Sequence, residues 1–212
     1  QRFFRTGPGE YGEGDVFLGV RVPQLRGLAR RFRGLSLEDS LELLRSPLHE
    51  ARFLAVVLLV ESYRRGDAAT RQRVFDAYLA NTDRVNNWDL VDVSAPHVVG
   101  AHLLQGDSAV LDRLAASPSL WERRIAMLAT FAFIRAGRLQ EPLRIARLLL
   151  HDNHDLIHKA VGWMLRELGQ RSRDAEEAFL AEHYRTMPRT ALRYAIEKFP
   201  SERRRAFLEG SA

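Results

Sequence analysis

Along this chain a helix start returns about every 35 residues, and that recurrence confines the fold more than any other feature. Ser46–Pro47, Ser117–Pro118 and Met187–Pro188 each set a proline where a first helical turn tolerates it. Ser117 follows Ser46 by 71 residues, two steps of about 35 with the intermediate start at Thr82. Asp152 and Met187 continue the series at intervals of 35. Ser46, Thr82, Ser117 and Asp152 are all good N-caps. Shorter helical patterns lie between, over roughly 67–79, 107–115, 141–149 and 173–183. Ser36 and Asp39 form a capping-box-like start, and Pro23 suits another first turn. Strand alternation is nearly absent. Long and short helices joined by short turns pair antiparallel and stack, so the expectation is an all-α solenoid of helix pairs, one domain over 1–212. The glycine-rich opening, residues 1–22, is expected to be irregular beyond a first short helix.

The register inside the longer helices divides core from surface. Counted from each start, positions +8, +9 and +12 are almost all apolar: Leu54, Ala55 and Leu58 in one copy, Ile125, Ala126 and Ala129 in another. They share one face and are predicted to pack. The predicted opposite face holds +6 (Arg52, Trp88, Arg123, His158, Arg193), +7 (Phe53, Asp89, Arg124, Lys159, Tyr194) and +10 (Val56, Asp92, Met127, Gly162, Glu197). Stacking would turn its cations into a basic stripe along a concave side, the footprint of nucleic acid. An ordinary solvated helix face is also charged, but it mixes signs freely.

Lys and Arg total 32 against 27 acidic residues, net +5, and only Lys159 and Lys198 are lysines. Guanidinium groups match phosphate oxygens, although a GC-rich coding sequence also enriches arginine. With no cysteine, disulfides, iron–sulfur clusters and cysteine-bound zinc are excluded. No apolar run is long enough for a membrane span, and the opening lacks the apolar stretch of a signal peptide, so a soluble cytoplasmic protein is expected.

One segment stands apart. In NNWDLVD (86–92), Trp88 and Asp92 are four residues apart and share a helix face. Trp163 flanks the same register, whereas Trp121 falls in a first turn and reads as packing. Two tryptophans and an aspartate suit a cleft for a sugar or a cation; gap-filling by Trp88 and an Asp92–arginine pair explain the same residues structurally. His154 and His158, with Asp152 and Asp155 nearby, have zinc-ligand spacing, but HExxH is absent and capping accounts for them, so no metal is expected. His97 and His102 read as ordinary helical residues.

The stretches EYGEGDVFLGVRVPQLRGLA (10–29), NNWDLVDVSAPHVVG (86–100), LWERRIAMLATFAFIR (120–135), LIHKAVGWMLRE (156–167) and MPRTALRYAIEKF (187–199) together resemble the AlkD-type DNA alkylation repair proteins, which are built from HEAT-like repeats. The resemblance implies hydrolysis of the N-glycosidic bond of N3- or N7-alkylated purines in double-stranded DNA, without a cofactor and by a monomer. It implies that Asp92 is catalytic, that Trp88 and Trp163 line the lesion's deoxyribose, and that Arg124 holds the backbone. Arg123, Lys159, Arg52 and Arg193 are the further expected DNA contacts. The family usually carries another helix upstream of Gln1, and its N-terminal tyrosine has Tyr11 as a candidate here. Two other readings compete: a non-catalytic binder of damaged or branched DNA on the same scaffold, and a protein-binding repeat scaffold, which the basic face opposes.

Overall fold

The structure is a computed structural model and describes residues 4–211. It is all-helical, and the described residues fall into two compact units, one within 1–102 and the other within 103–212. The first unit opens with an irregular strap, residues 4–21, in which the described residues form turns rather than the expected short helix. Then come α1 (Val22–Arg31), α2 (Leu37–Leu44), α3 (His49–Arg65), α4 (Ala68–Leu79), a 3-10 turn at Thr82–Arg84, and α5 (Trp88–Ser94). A π-turn at Pro96–Gly100 joins α5 to α6 (Ala101–Leu103). The second unit holds α7 (Ala109–Ala115), α8 (Leu120–Arg135), α9 (Gln140–Leu149), α10 (Asp155–Gly169), α11 (Arg173–His183), α12 (Arg189–Ala195) and α13 (Ser201–Glu209).

Helices pair as the repeat requires, although α5 and α12 are shorter than α4 and α11 before them and run on into a π-turn and a 3-10 turn. In the first unit α3 packs against α1, α2, α4 and α5; in the second α10 packs against α8, α9, α11 and α12. Ser36 caps α2 by accepting the Asp39 N–H, and Asp67 caps α4 by accepting that of Thr70. The long helices begin two or three residues after the starts at Ser46, Ser117, Asp152 and Met187. Thr82 departs from this: it lies in the 3-10 turn, and Asn87 caps α5 instead.

The recurring turns share a second device. Ser46, Ser117 and Asp152 each accept, through a side-chain oxygen, the N–H two residues on, at 3.1, 3.1 and 2.9 Å. The residue at +6 then reaches back to the turn. Arg52 Nη1 donates to the Ser46 and Pro47 carbonyls, Arg123 Nη1 to those of Ser117 and Pro118, and His158 Nε2 meets the Asp152 carbonyl. A basic residue recurs at +6 because it satisfies carbonyls that a tight turn leaves without helical donors.

The packed face is as expected: Ala55, Leu90, Val91, Ile125, Ala126, Ala129, Ala160, Val161 and Met164 are fully buried, and only Leu54 is half-exposed. The predicted opposite face needs correction. Phe53, Val56 and Met127 are buried too, Gly162 is covered by α12, and even Arg52 and Arg124 are each only 5% exposed. α3 is flanked by α1, α2, α4 and α5, and α8 by α7, α9 and α10, so each is covered on more than one face.

One core group titrates out of place. Glu176 on α11 is 1% exposed against Gly169, and burial pushes its carboxyl up to about 8 although Arg173 Nη1 lies 3.2 Å away. The folded chain therefore keeps a proton that the unfolded chain releases near 4.5, and stability falls as pH rises between those values. Glu176→Gln is expected to remove this fall, giving a flatter Tm–pH curve and a higher Tm than wild type around pH 9. Parallel curves for the two proteins would contradict it.

Candidate functional site

The first unit places Trp88 and Asp92 one turn apart on α5, both half-buried. Trp88 opens the helix, its N–H donating to Asn87 Oδ1 at 2.8 Å. An aromatic tier backs it: Phe4 stacks on Trp88 with centroids 5.5 Å apart, and on Phe17 at 4.8 Å. His49 lies 4.6 Å from Phe17 and 4.9 Å from Phe4.

Beneath the tier is a buried ionic cluster. Asp15, from the strap, meets Arg52 Nη2 at 2.5 Å, Asn87 Nδ2 at 3.0 Å and His49 Nδ1 at 3.5 Å. His49 Nε2 meets Asp89 Oδ2 at 2.9 Å. Burial works against charge at His49, but the Asp15 and Asp89 carboxylates outweigh it and carry the imidazole up to about 9. Burial likewise opposes ionisation of Asp15, and hydrogen bonding by His49 and Asn87 with the charge of Arg52 still holds its carboxyl below the ordinary value. The next residue, Glu50, fastens the strap by accepting the Leu18 and Gly19 N–H groups at 2.9 and 2.7 Å.

Asp92 lines a cavity of about 200 Å³ with Arg26 of α1, Glu61 and Arg64 of α3, and His97. Pro96 has no N–H to return to the Asp92 carbonyl, so the helix widens into the π-turn, closed by Gly100 N–H on Ala95 O at 2.9 Å. The turn brings His97 to the same cavity as Asp92, where Arg64 Nη2 approaches its Nδ1 at 3.3 Å. Tyr78, fully buried and bonded to Ser94, has its phenol pushed far above the ordinary range by burial, so it stays a neutral donor.

The second unit carries the other expected residues. Arg124 is buried and donates to the Leu156 carbonyl at 2.5 Å, fastening α8 to the first turn of α10. Arg123 spans its turn and the Asp152 carboxylate, with Nε 2.6 Å from Oδ2. Lys159, its side chain 38% exposed, pairs with Asp155 at 2.6 Å. Arg193 is exposed on α12. Trp163 is half-buried, donates to Glu167 Oε1 at 3.0 Å and lies 6.5 Å from the Phe131 ring. His154 caps α10, and among the described residues no cluster of ligands fit for a metal ion is found. Tyr11 lies half-buried in the strap. No helix of the described residues is long and apolar enough to cross a membrane.

Asp15, His49, Asn87 and Phe4 were not singled out from the sequence. The available signal was the polar pair His49–Glu50 just ahead of the apolar stretch 53–60, and the structure buries both.

Packed helix pairs, a tryptophan–aspartate turn and clamped arginines place the chain among all-α proteins built from paired helices. The chain belongs to the DNA alkylation repair enzyme family, whose model matches residues 1–199. A solved structure described as a predicted DNA alkylation repair enzyme from Enterococcus faecalis has the same fold, with a TM-score of 0.71 at 16% identity, covering 90% of this chain and 92% of that one. No curated protein matches the chain.

Proposed function

We propose that this protein is a monofunctional DNA glycosylase that hydrolyses the N-glycosidic bond of N3- and N7-alkylated purines in double-stranded DNA. The observation that carries the reading is the placement of Asp92, which lines a small cavity, one turn from an aromatic-backed Trp88.

An alkylated purine of this kind is already cationic, so it departs without being protonated. As the C1′–N bond breaks, its electron pair stays with the purine and neutralises it, and the sugar takes on positive charge. The Asp92 carboxylate stabilises that charge, and the Trp88 face favours a cation above it. Water adds its oxygen to C1′ and loses a proton to Asp92 or to solvent. For Trp163 the family resemblance implies a role in lining the deoxyribose, and that role is proposed here. No amine is needed, and Lys159 is assigned to phosphate rather than to a Schiff base.

Phosphate contact is proposed through Lys159 and Arg193 foremost, with Arg124 near the lesion as the family resemblance implies, whereas Arg123 is tied to its turn carbonyls and to Asp152 and is assigned to holding the turn. Arg52 is tied to Asp15 and to two carbonyls and is assigned to holding the turn. Carboxylate partners such as Asp155 are readily exchanged for phosphate, because exposed ion pairs contribute little. Lys159→Ala and Arg193→Ala are each expected to weaken duplex binding whatever its sequence and to lower the salt slope, d log K/d log[salt], by about 0.9. Unchanged slopes would remove those residues from the interface.

The function is tested by incubating the protein with N7-methylguanine duplex and separating free base by chromatography. Release of base, with strands uncut until alkali is added, is expected. Tight binding without release would make the protein a non-catalytic binder of damaged DNA.

A further inference from the structure

We propose that His49 is a positioning residue for Trp88: by bridging Asp15 and Asp89 it locks the Phe4-bearing strap to the first turn of α5 and so sets the orientation of the indole. The proposal rests on the reading of Trp88 as a wall of the lesion site.

The residues on both sides of Trp88 are anchored in one cluster. Asn87 binds Asp15, and Asp89 binds His49. His49 also faces Asp15, and Asp15 holds Arg52, which is fixed to its own turn. Trp88 therefore cannot rotate with the helix terminus unless these bonds break. On the other side, Phe4 stacks on the indole and is itself packed on His49. The imidazole thus touches the strap through Phe4, Phe17 and Asp15, and α5 through Asp89.

The cluster is costly as mere glue. The side chains of His49, Asp15 and Arg52 are 4%, 6% and 6% exposed. Buried ion groups seldom add more stability than apolar packing of equal volume, and their use is geometric specification. Its four charged members sum to neutrality when His49 is protonated. Near the imidazole are Asp15 from the strap, Asp89 from α5, Glu50 from its own helix, Arg52 on the other oxygen of Asp15, and Arg21, which lines the same cavity. Carboxylates outnumber cations there, so His49 is charged at neutral pH. Its folded value, about 9, lies above the ordinary 6.5, so the bridge is formed at neutral pH and is lost as pH rises through about 9.

The test uses a sole-tryptophan protein, Trp121→Phe with Trp163→Phe, so that fluorescence reports Trp88 alone. Emission and acrylamide quenching are expected to change in a transition centred near pH 9 and to lose that transition when His49→Gln is added. In the otherwise unaltered chain, His49→Gln is expected to slow single-turnover release about tenfold or more, with duplex Kd unchanged. A folded His49→Gln protein with the parental Trp88 signal, pH transition and release rate would overturn the proposal. Absence of base release by wild type, with the fluorescence transition present and dependent on His49, would refute the glycosylase reading and leave the positioning role standing. If His49→Gln does not fold, Asp89→Asn breaks one arm of the bridge and is judged by the same outcomes.

Discussion

Asp92→Asn is expected to slow release of 7-methylguanine from duplex DNA by about 10²–10³-fold, the scale seen when one preorganised electrostatic partner of a developing charge is removed. The amide keeps the size and much of the hydrogen bonding of the carboxylate and discards its charge. Fold and DNA affinity are therefore expected to survive, and affinity to rise slightly, because one negative charge leaves a surface meeting a polyanion. Stopped-assay release rates beside a binding titration separate the two effects. A variant that binds and releases as the wild type does would strip Asp92 of its role. One that loses binding and release together would make Asp92 part of the scaffold, in keeping with its ring of Arg26, Arg64 and His97.

The second large effect concerns packing. A Cβ at Gly162 would stand 2.3 Å from the Ala191 carbonyl oxygen and 2.5 Å from Tyr194 Cβ. A backbone oxygen cannot swing aside as a side chain can, so α12 must move off α10. Gly162→Ala is expected to cost about 1–3 kcal/mol or more. Gly27 in α1 is the control: a Cβ there meets nothing within 4 Å, and Gly27→Ala is expected to gain about 0.5–1 kcal/mol of helix stability. Chemical denaturation of the two variants gives both signs. Because Lys159 and Trp163 lie on α10 and Arg193 on α12, the loosened pair is also expected to bind duplex less well. Equal stability of Gly162→Ala and wild type would mean that α10 and α12 do not approach so closely.

Periodicity made the helices legible. The short elements at 67–79, 107–115, 141–149 and 173–183 lie within two residues of α4, α7, α9 and α11, because caps and apolar spacing are local properties. Thr82 misled for a similar reason: a good capping residue in the right interval cannot show that Asn87, five residues on, will cap in its place. The larger gap concerned sidedness. A helical wheel distinguishes a packed face from its opposite, but it cannot see that a stacked helix is walled by neighbours, so Val56 and Met127 were assigned outward and are fully buried. The same blindness hid why +6 is basic. Arg52 and Arg123 recur to bind turn carbonyls, a demand of backbone chemistry that resembles a phosphate stripe when read as charge alone.

The candidate site was legible where it is contiguous. Trp88 and Asp92 share seven residues of sequence and one helix face. The supporting cluster was not, because Asp15 and Asn87 are 72 residues apart and meet only when the strap folds across α3 and α5. His97 read as an ordinary helical residue, since no α-helical wheel brings it to the side of Asp92; the π-turn at Pro96 does.

The most direct test of the account is a single-turnover time course of base release from one duplex carrying N7-methylguanine, with wild type and Asp92→Asn side by side at enzyme excess. The account predicts exponential release of free 7-methylguanine by wild type and release about 10²–10³-fold slower by the variant. Release no faster than the spontaneous rate by a wild-type protein that saturates the duplex would contradict it.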